Sequence, residues 1–385
     1  MAAPVRAGGE TRAGSAERVR ALAPVDLGAV ARNCATLRRR LANAQLCAVV
    51  KADGYGHGGT PCARAALAGG ATWLAVATAT EAAALRDEGI RAPLLVMGAL
   101  TESELGAALA ADADVVAWRE QFVQAVEAAV TTARPARVHV KLDTGMGRLG
   151  AKDPGQAHAV AAAVDASKRQ ELAGVMTHFA TADDQGSDFF DEQLRRFRPF
   201  AEELKRSHPE CIVHAANSAA ALRSDDAHFD MARCGIAVYG MDPFGEDASL
   251  RGLEPALALR SYVAEVKVLS PGESVGYGRT WTASAQTRVA VLPIGYGDRY
   301  RRGLSNAADV LIRGSRFPVV GTISMDNTTV EVGDAEMAVG DSATLIGTDG
   351  GERISAEELA RGLDTINYEI TCGVSARVSR VHLAP

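Results

Sequence analysis

The sequence predicts an α/β chain in two parts, a (β/α)8 TIM-like barrel followed by a mainly β carboxyl-terminal domain, and three observations predict it. The 385 residues exceed what a single core usually organises. From about residue 25, short β-branched or apolar runs alternate with longer Ala- and Leu-rich stretches, the pattern of a parallel sheet wound with helices. After about residue 255 the texture changes to alternating strands separated by Gly, Pro and Asp turns. The expected organisation is a loose tail rich in Ala, Gly and Arg over 1–20, a barrel over 21–255 and a β-rich domain over 256–385.

Eight apolar runs make up the barrel, at 46–52, 72–78, 93–99, 114–118, 137–143, 172–179, 211–217 and 232–240. That number suits a closed barrel, and a doubly wound open sheet is the other reading of the same alternation. The segments 81–89, 102–112 and 189–207 are good helix formers with amphipathic spacing. In the second domain, 261–270, 287–298, 308–314 and 318–334 read as strands. One helix stands out there. Ser355 and Glu358 have capping-box spacing, and Leu359, Leu363, Ile366 and Ile370 follow at helical intervals.

Composition narrows the function classes. Hydrophobic residues at 47% and charged residues at 23% describe a globular chain, and a net charge of −6 without a basic stripe argues against nucleic acid and anionic membranes as partners. The six cysteines are scattered, with no CxxC pair and no metal-ligand spacing, so they read as reduced thiols and no metal is expected. No segment has the apolar length to cross a bilayer, and the amino terminus lacks the apolar stretch of a secretion signal. The cytoplasm is the expected location.

Barrel enzymes carry reactive groups at the carboxyl ends of their strands. The first run ends in VVKADGYGHG (49–58), where Lys51 leaves an apolar strand for a loop with Gly54, Gly56 and Gly58. Partial burial would lower the pKa of this amine and leave it able to form a Schiff base, although a strand-end lysine reaching for solvent is the commoner arrangement. Tyr55 offers a hydroxyl, and the glycines let backbone amides approach an anion. Ser218 and the segment Arg233-Cys-Gly235-Ile236 lie after the seventh run and within the eighth, where barrels build phosphate sites; a helix cap is the other reading of Ser218.

With these residues in place, VVKADGYGHG resembles the lysine motif of the alanine racemases. The resemblance implies that Lys51 holds pyridoxal phosphate as an aldimine and that Tyr55 contacts the phosphate. VKLDTGMGRLG (140–150) is a long further match. It implies that Arg148 lies against the cofactor's phenolic oxygen and binds substrate, and that Lys141 can be carbamylated to orient Arg148. An ion pair between Lys141 and Asp143 is the alternative. By the same resemblance Ser218, Gly235, Ile236 and Tyr368 hold phosphate, and Arg233 faces the pyridine nitrogen, where it cannot accept a proton. THFATAD (177–183) and HAANSAA (214–220) place His178 beside the ring and His214 as a donor behind it; a satisfied core histidine is the commoner role of either.

Inversion at carbon needs an acid–base group on each face. Lys51 serves one, and Tyr277 of SVGYGRTW (274–281) matches the racemases' catalytic tyrosine. Tyr296, Met325 and Asp326, in PIGYGDRY (293–300) and ISMDN (323–327), match residues at the substrate entrance, Met325 also contacting substrate. Asp53, Gly297, Arg299 and Ser324 depart from the family's usual Asn, Ala, Gly and small residue. The resemblance runs from about 24 to 380 and implies a homodimer with composite sites. The function expected is interconversion of L- and D-alanine by a two-base mechanism, with Lys51 acting on D-alanine and Tyr277 on L-alanine. The alternatives are a broader amino-acid racemase acting on serine, a pyridoxal-phosphate decarboxylase, which would want a carboxylate where Arg233 stands, and a non-catalytic cofactor-binding protein, which could dispense with Tyr277.

Overall fold

The computed structural model describes residues 19–131 and 133–384. After β1 (Leu22–Asp26), eight strands close into a parallel barrel: β2 (Gln45–Val49), β3 (Trp73–Val76), β4 (Leu94–Val96), β5 (Asp114–Ala117), β6 (Ala136–Lys141), β7 (Gln170–Met176), β8 (Ile212–His214) and β9 (Met231–Cys234). Each overlaps one of the eight apolar runs of the sequence, and the open-sheet alternative is excluded. Closure comes where β9 pairs with β2, with Cys47 opposite Arg233 and Ala48 opposite Cys234. Leu74, Leu94, Leu95, Val96, Val115 and Val138 are wholly buried, as strands covered on both faces require.

The surrounding helices start at recognisable caps. Thr78 and Glu81 form a reciprocal capping box, as do Thr101 and Glu104, and Asp153 caps a helix whose first residue is Pro154. The helix Phe189–Ser207 buries Phe190, Leu194, Phe197, Ala201 and Leu204 at intervals of three and four, the stripe read from its sequence.

The carboxyl-terminal part is built from β10 (Leu259–Tyr262), β11 (Glu265–Leu269), β12 (Ser274–Val275), β13 (Trp281–Thr282), β14 (Thr287–Leu292), β15 (Asp309–Ile312), β16 (Ser315–Pro318), β17 (Thr328–Glu331), β18 (Ser342–Asp349), β19 (Glu352–Ile354) and β20 (Ser379–Leu383). One sheet runs β16-β15-β18-β10-β1-β20 with β19 paired to β18, a second runs β11-β14-β17, and β12 and β13 pair as a hairpin. β1 therefore belongs to this sheet, parallel to β20 and antiparallel to β10, and the barrel is inserted between them.

Two local expectations change. Residues 1–18 of the expected tail lie outside the described residues, but Arg20 is tethered: it donates to the Pro293 carbonyl at 2.8 Å and to both oxygens of the buried Asp298 carboxylate. The single helix expected after Ser355 is two short ones, Ala356–Gly362 and Asn367–Gly373. Ser355 does cap, accepting from the Glu358 amide at 3.1 Å. The Glu358 carboxylate, however, turns to Arg316 instead of closing the box. Asp364 takes a left-handed φ of 51°, which breaks the helix and leaves Ile366 58% exposed.

All six cysteines are free thiols, five of them buried. Among the described residues no helix is long and apolar enough to cross a membrane.

Candidate active site

A cavity of about 900 Å³ opens at the carboxyl end of the barrel. Lys51, Tyr55, Lys141, Arg148, His178, Ser218, Arg233, Gly235, Ile236 and Tyr368, ten residues singled out in the sequence, all line it.

Lys51 reaches the cavity because the chain leaves β2 in a left-handed turn. Ala52, Asp53, Gly54 and Tyr55 have φ of 52°, 51°, 61° and 53°. Each non-Gly residue in that region costs about 1–2 kcal/mol, and local bonds offset the strain. Asp53 accepts from the Gly59 amide at 2.7 Å, and Glu81 accepts from the Ala52 and Ala77 amides at 2.6 and 2.8 Å. Asp at position 53 thus performs the role Asn would, since both tolerate φ > 0 and accept from nearby amides. Gly56 is required twice over: its φ is 83°, and a Cβ there would lie 2.8 Å from the Thr371 carbonyl carbon.

Five cations line the cavity: Lys51, Lys141, Arg148, Arg233 and the exposed Arg361. None is ion-paired with a carboxylate among the described residues. Burial, and then Arg148, lowers the Lys51 pKa. Burial followed by Arg233 and Arg148 pushes Lys141 down to about 8, and burial brings Arg233 to about 10. The alternative reading of Lys141, a salt bridge to Asp143, does not hold, because Asp143 instead accepts from the Gly145 and Gly147 amides at 2.9 and 3.2 Å.

Three hydroxyl residues, Tyr55, Ser218 and Tyr368, line the same cavity. Burial raises the pKa of Tyr55 and of Tyr368, so both phenols stay protonated donors, and neither has a hydrogen-bond partner among the described residues. Ser218 accepts from the Gly235 amide at 2.9 Å and the Ala237 amide at 3.4 Å, which leaves its own proton to donate. The Gly235 N–H donates to Ser218, and Ile236 beside it lines the cavity. Gly235 matters through its missing side chain, because a Cβ there would lie 2.7 Å from Tyr55 Cζ. These cations, with the Tyr55, Ser218 and Tyr368 hydroxyls, suit an oxyanion such as phosphate, and a lysine inclined toward its neutral form suits reaction with a carbonyl. These residues fit pyridoxal phosphate.

Arg233 holds the two histidines. Nη2 donates to His178 Nδ1 at 3.2 Å and Nη1 to His214 Nδ1 at 2.9 Å; further bonds reach the Thr177 and Ala215 carbonyls. Burial, then Arg233, holds both imidazoles well below the ordinary histidine range, so both are neutral. Because a guanidinium only donates, each ring carries its proton on Nε2. His214 is wholly buried beneath the cavity rather than lining it. Sequence reasoning missed what lies behind it, His139 and Asp114, both 0% exposed. The signal was there for His139, which is two residues before Lys141 on the same strand and hence on the same face.

The residues of the second domain are elsewhere. Tyr277 is 73% exposed, Met325 52% and Tyr296 37%, and Asp326 accepts from Arg377 at 2.6 Å. None of the four lines the cavity of its own chain. The Tyr277 loop is nonetheless shaped by the backbone around it: Gly276, Gly278 and Arg279 have φ of 76°, 73° and 50°, and a Cβ on Gly276 would lie 2.8 Å from the Thr322 amide nitrogen. Gly297 is confined similarly, since a Cβ there would overlap the Arg377 guanidinium, and Arg299 holds a left-handed φ of 75°.

Two family models match the chain, that of the alanine racemase N-terminal domain over residues 25–243 and that of the alanine racemase C-terminal domain over 256–382. An alanine racemase of Symbiobacterium thermophilum is 44% identical, covering 94% of this chain and 96% of its own length. One from Geobacillus stearothermophilus is 42% identical over 93% of this chain and 92% of its own. Among solved structures, the alanine racemase of D-cycloserine-producing Streptomyces lavendulae has a TM-score of 0.91 at 37% identity, covering 95% of this chain and 97% of that one. The alanine racemase of Bacillus anthracis with bound L-Ala-P has a TM-score of 0.87 at 35% identity and covers 96% of each.

Proposed function

The chain belongs to the alanine racemase family and interconverts L- and D-alanine, and from that premise we propose that it does so with pyridoxal phosphate on Lys51 and with a cavity completed by Tyr277 of a second subunit. One observation carries the reading. The acid–base lysine stands in a cavity of unpaired cations and hydroxyls, while the matching phenol is 73% exposed on the other domain and so free to enter a neighbour's site.

Bound pyridoxal phosphate supplies an electron sink that acidifies the α-proton of alanine. Tyr55, Ser218, Tyr368 and the Ile236 N–H bind its phosphate, with Gly235 admitting Tyr55 to the site. Arg233 presents a donor and no acceptor to the ring nitrogen, which keeps that nitrogen unprotonated. Arg148 orients the phenolic oxygen and, with Met325 of the partner, the substrate. The Lys51 amine, its pKa lowered by burial and by Arg148, exchanges the proton on one face, that of D-alanine. The partner's Tyr277 exchanges the proton on the other, that of L-alanine. Lys141, carbamylated, would become the anion that holds Arg148. The partner's Tyr296 and Asp326 flank the entrance, and the protein is a homodimer. Six free thiols favour a cytoplasmic location.

The test is proton exchange in deuterated water. Tyr277→Phe should keep the exchange of D-alanine and slow that of L-alanine by roughly 10²–10⁴. L-Alanine exchange at the parental rate would overturn the assignment.

A further inference from the structure

Behind the cavity, four buried polar side chains from four barrel strands form one hydrogen-bonded line. Arg233 of β9 donates to His214 Nδ1 of β8 at 2.9 Å, and His214 Nε2 meets His139 Nδ1 of β6 at 2.7 Å. His139 Nε2 then meets Asp114 Oδ2 of β5 at 3.0 Å, and Asp114 Oδ1 accepts from Arg137 Nε at 2.6 Å. Arg233 is 3% exposed and the other three members 0%. Barrel interiors are ordinarily filled by Val, Ile and Leu, so a polar line through one is a departure that the fold must accommodate. It does so at β7, between β6 and β8. Gly174 has no side chain where a Cβ would lie 2.6 Å from Cε1 and 2.9 Å from Cγ of His139, and the β6–β7 register shifts between Val138 and His139.

The polarity of the line is forced. Arg233 only donates, so the His214 proton is on Nε2; that N–H donates to His139 Nδ1, so the His139 proton is also on Nε2 and goes to the carboxylate. Arg233 touches no carboxylate among the described residues, its remaining bonds going to two carbonyls and His178.

We propose that Asp114 and His139 are positioning residues for racemisation, fixing the His214 lone pair that holds the Arg233 guanidinium against the cavity. Asp114, ion-paired with Arg137, anchors the line and polarises the two imidazoles toward Arg233, which has no carboxylate beside it among the described residues. This rests on the reading that Arg233 faces the cofactor.

Two measurements test it. In holoenzyme labelled with ¹⁵N-histidine, His214 and His139 should each carry a proton on Nε2 and none on Nδ1; a proton on Nδ1 of either ring overturns the proposal without any variant. Among variants, His139→Gln can accept from His214 and donate to Asp114, whereas His139→Leu can do neither. His139→Leu and Asp114→Asn should lower kcat by roughly tenfold to a hundredfold at little change in KM, and His139→Gln should restore kcat to within about threefold of the parent. If His139→Leu melts earlier yet turns over at the parental rate, or if Gln is as slow as Leu, the line is structural only and the proposal fails. Parental turnover by Arg233→Lys would count instead against the placement of the cofactor.

Discussion

Gly235→Ala tests how tightly the cavity is built where Tyr55, Ser218 and Gly235 meet and where the phosphate is proposed to bind. The added methyl would lie 2.7 Å from Tyr55 Cζ and 3.3 Å from Cε2, closer than carbon atoms approach without one of them moving. Tyr55 has little freedom to yield. It is 7% exposed, with its ring centroid 5.1 Å from that of Tyr239 and 6.1 Å from that of Tyr368. Overpacking of this kind costs about 1–3 kcal/mol of stability. On the proposed reading, displacing the phenol would also remove its hydrogen bond to the cofactor's phosphate, worth about 1.5–3 kcal/mol, or roughly ten- to a hundredfold in cofactor affinity. The assay is titration of the apoenzyme with pyridoxal phosphate beside a thermal melt. Tyr55→Phe is the control, losing the hydroxyl but keeping the ring, so its affinity should fall with little change in melting temperature. The double variant should bind no more weakly than Gly235→Ala alone, since both act through one hydroxyl. Full cofactor affinity in Gly235→Ala would refute this reasoning.

Other consequences follow from burial and charge. Lys141 has a folded pKa of about 8 against 10.5 for the free side chain, so the unfolded chain binds more protons between those values and stability rises with pH across that window. In bicarbonate-free buffer Lys141→Met should therefore melt above the parent at neutral pH, and the gap should close as pH approaches 10.5; a gap that widens with pH contradicts the shift. Arg20→Ala leaves the buried Asp298 with Arg377, 3.6 Å away, as its one cation among the described residues. We expect a loss of about 1–3 kcal/mol in urea unfolding, and an unchanged midpoint would show that the tether is idle.

The barrel was legible because its strands, covered on both faces, are short apolar runs separated by good helix formers, and each of the eight runs carries a strand. β1 was not, since LAPVD looks like any short run and its partners Arg260 and Ser379 lie far along the chain. Apolar spacing over Leu359, Leu363, Ile366 and Ile370 could not reveal the break at Asp364, because two short helices can carry the same period as one. The cavity residues were legible as motifs at strand ends. The line from Arg233 to Asp114 was not, because the meeting of His139 with His214 depends on the side chain that Gly174, on the intervening strand, does not have. The spacing of SVGYGRTW does not reveal that Tyr277 stands exposed and away from the cavity of its own chain; only the family resemblance pointed to a composite site.

Mixing two inactive variants, Lys51→Ala and Tyr277→Phe, and letting their subunits exchange tests the composite site most directly. A mixed dimer would contain one site with both substitutions and one with neither, so racemisation should return to roughly a quarter of the parental rate in an equal mixture. If Lys51 and Tyr277 of the same chain formed each site, every site would carry one substitution and the mixture would stay as inactive as its parts.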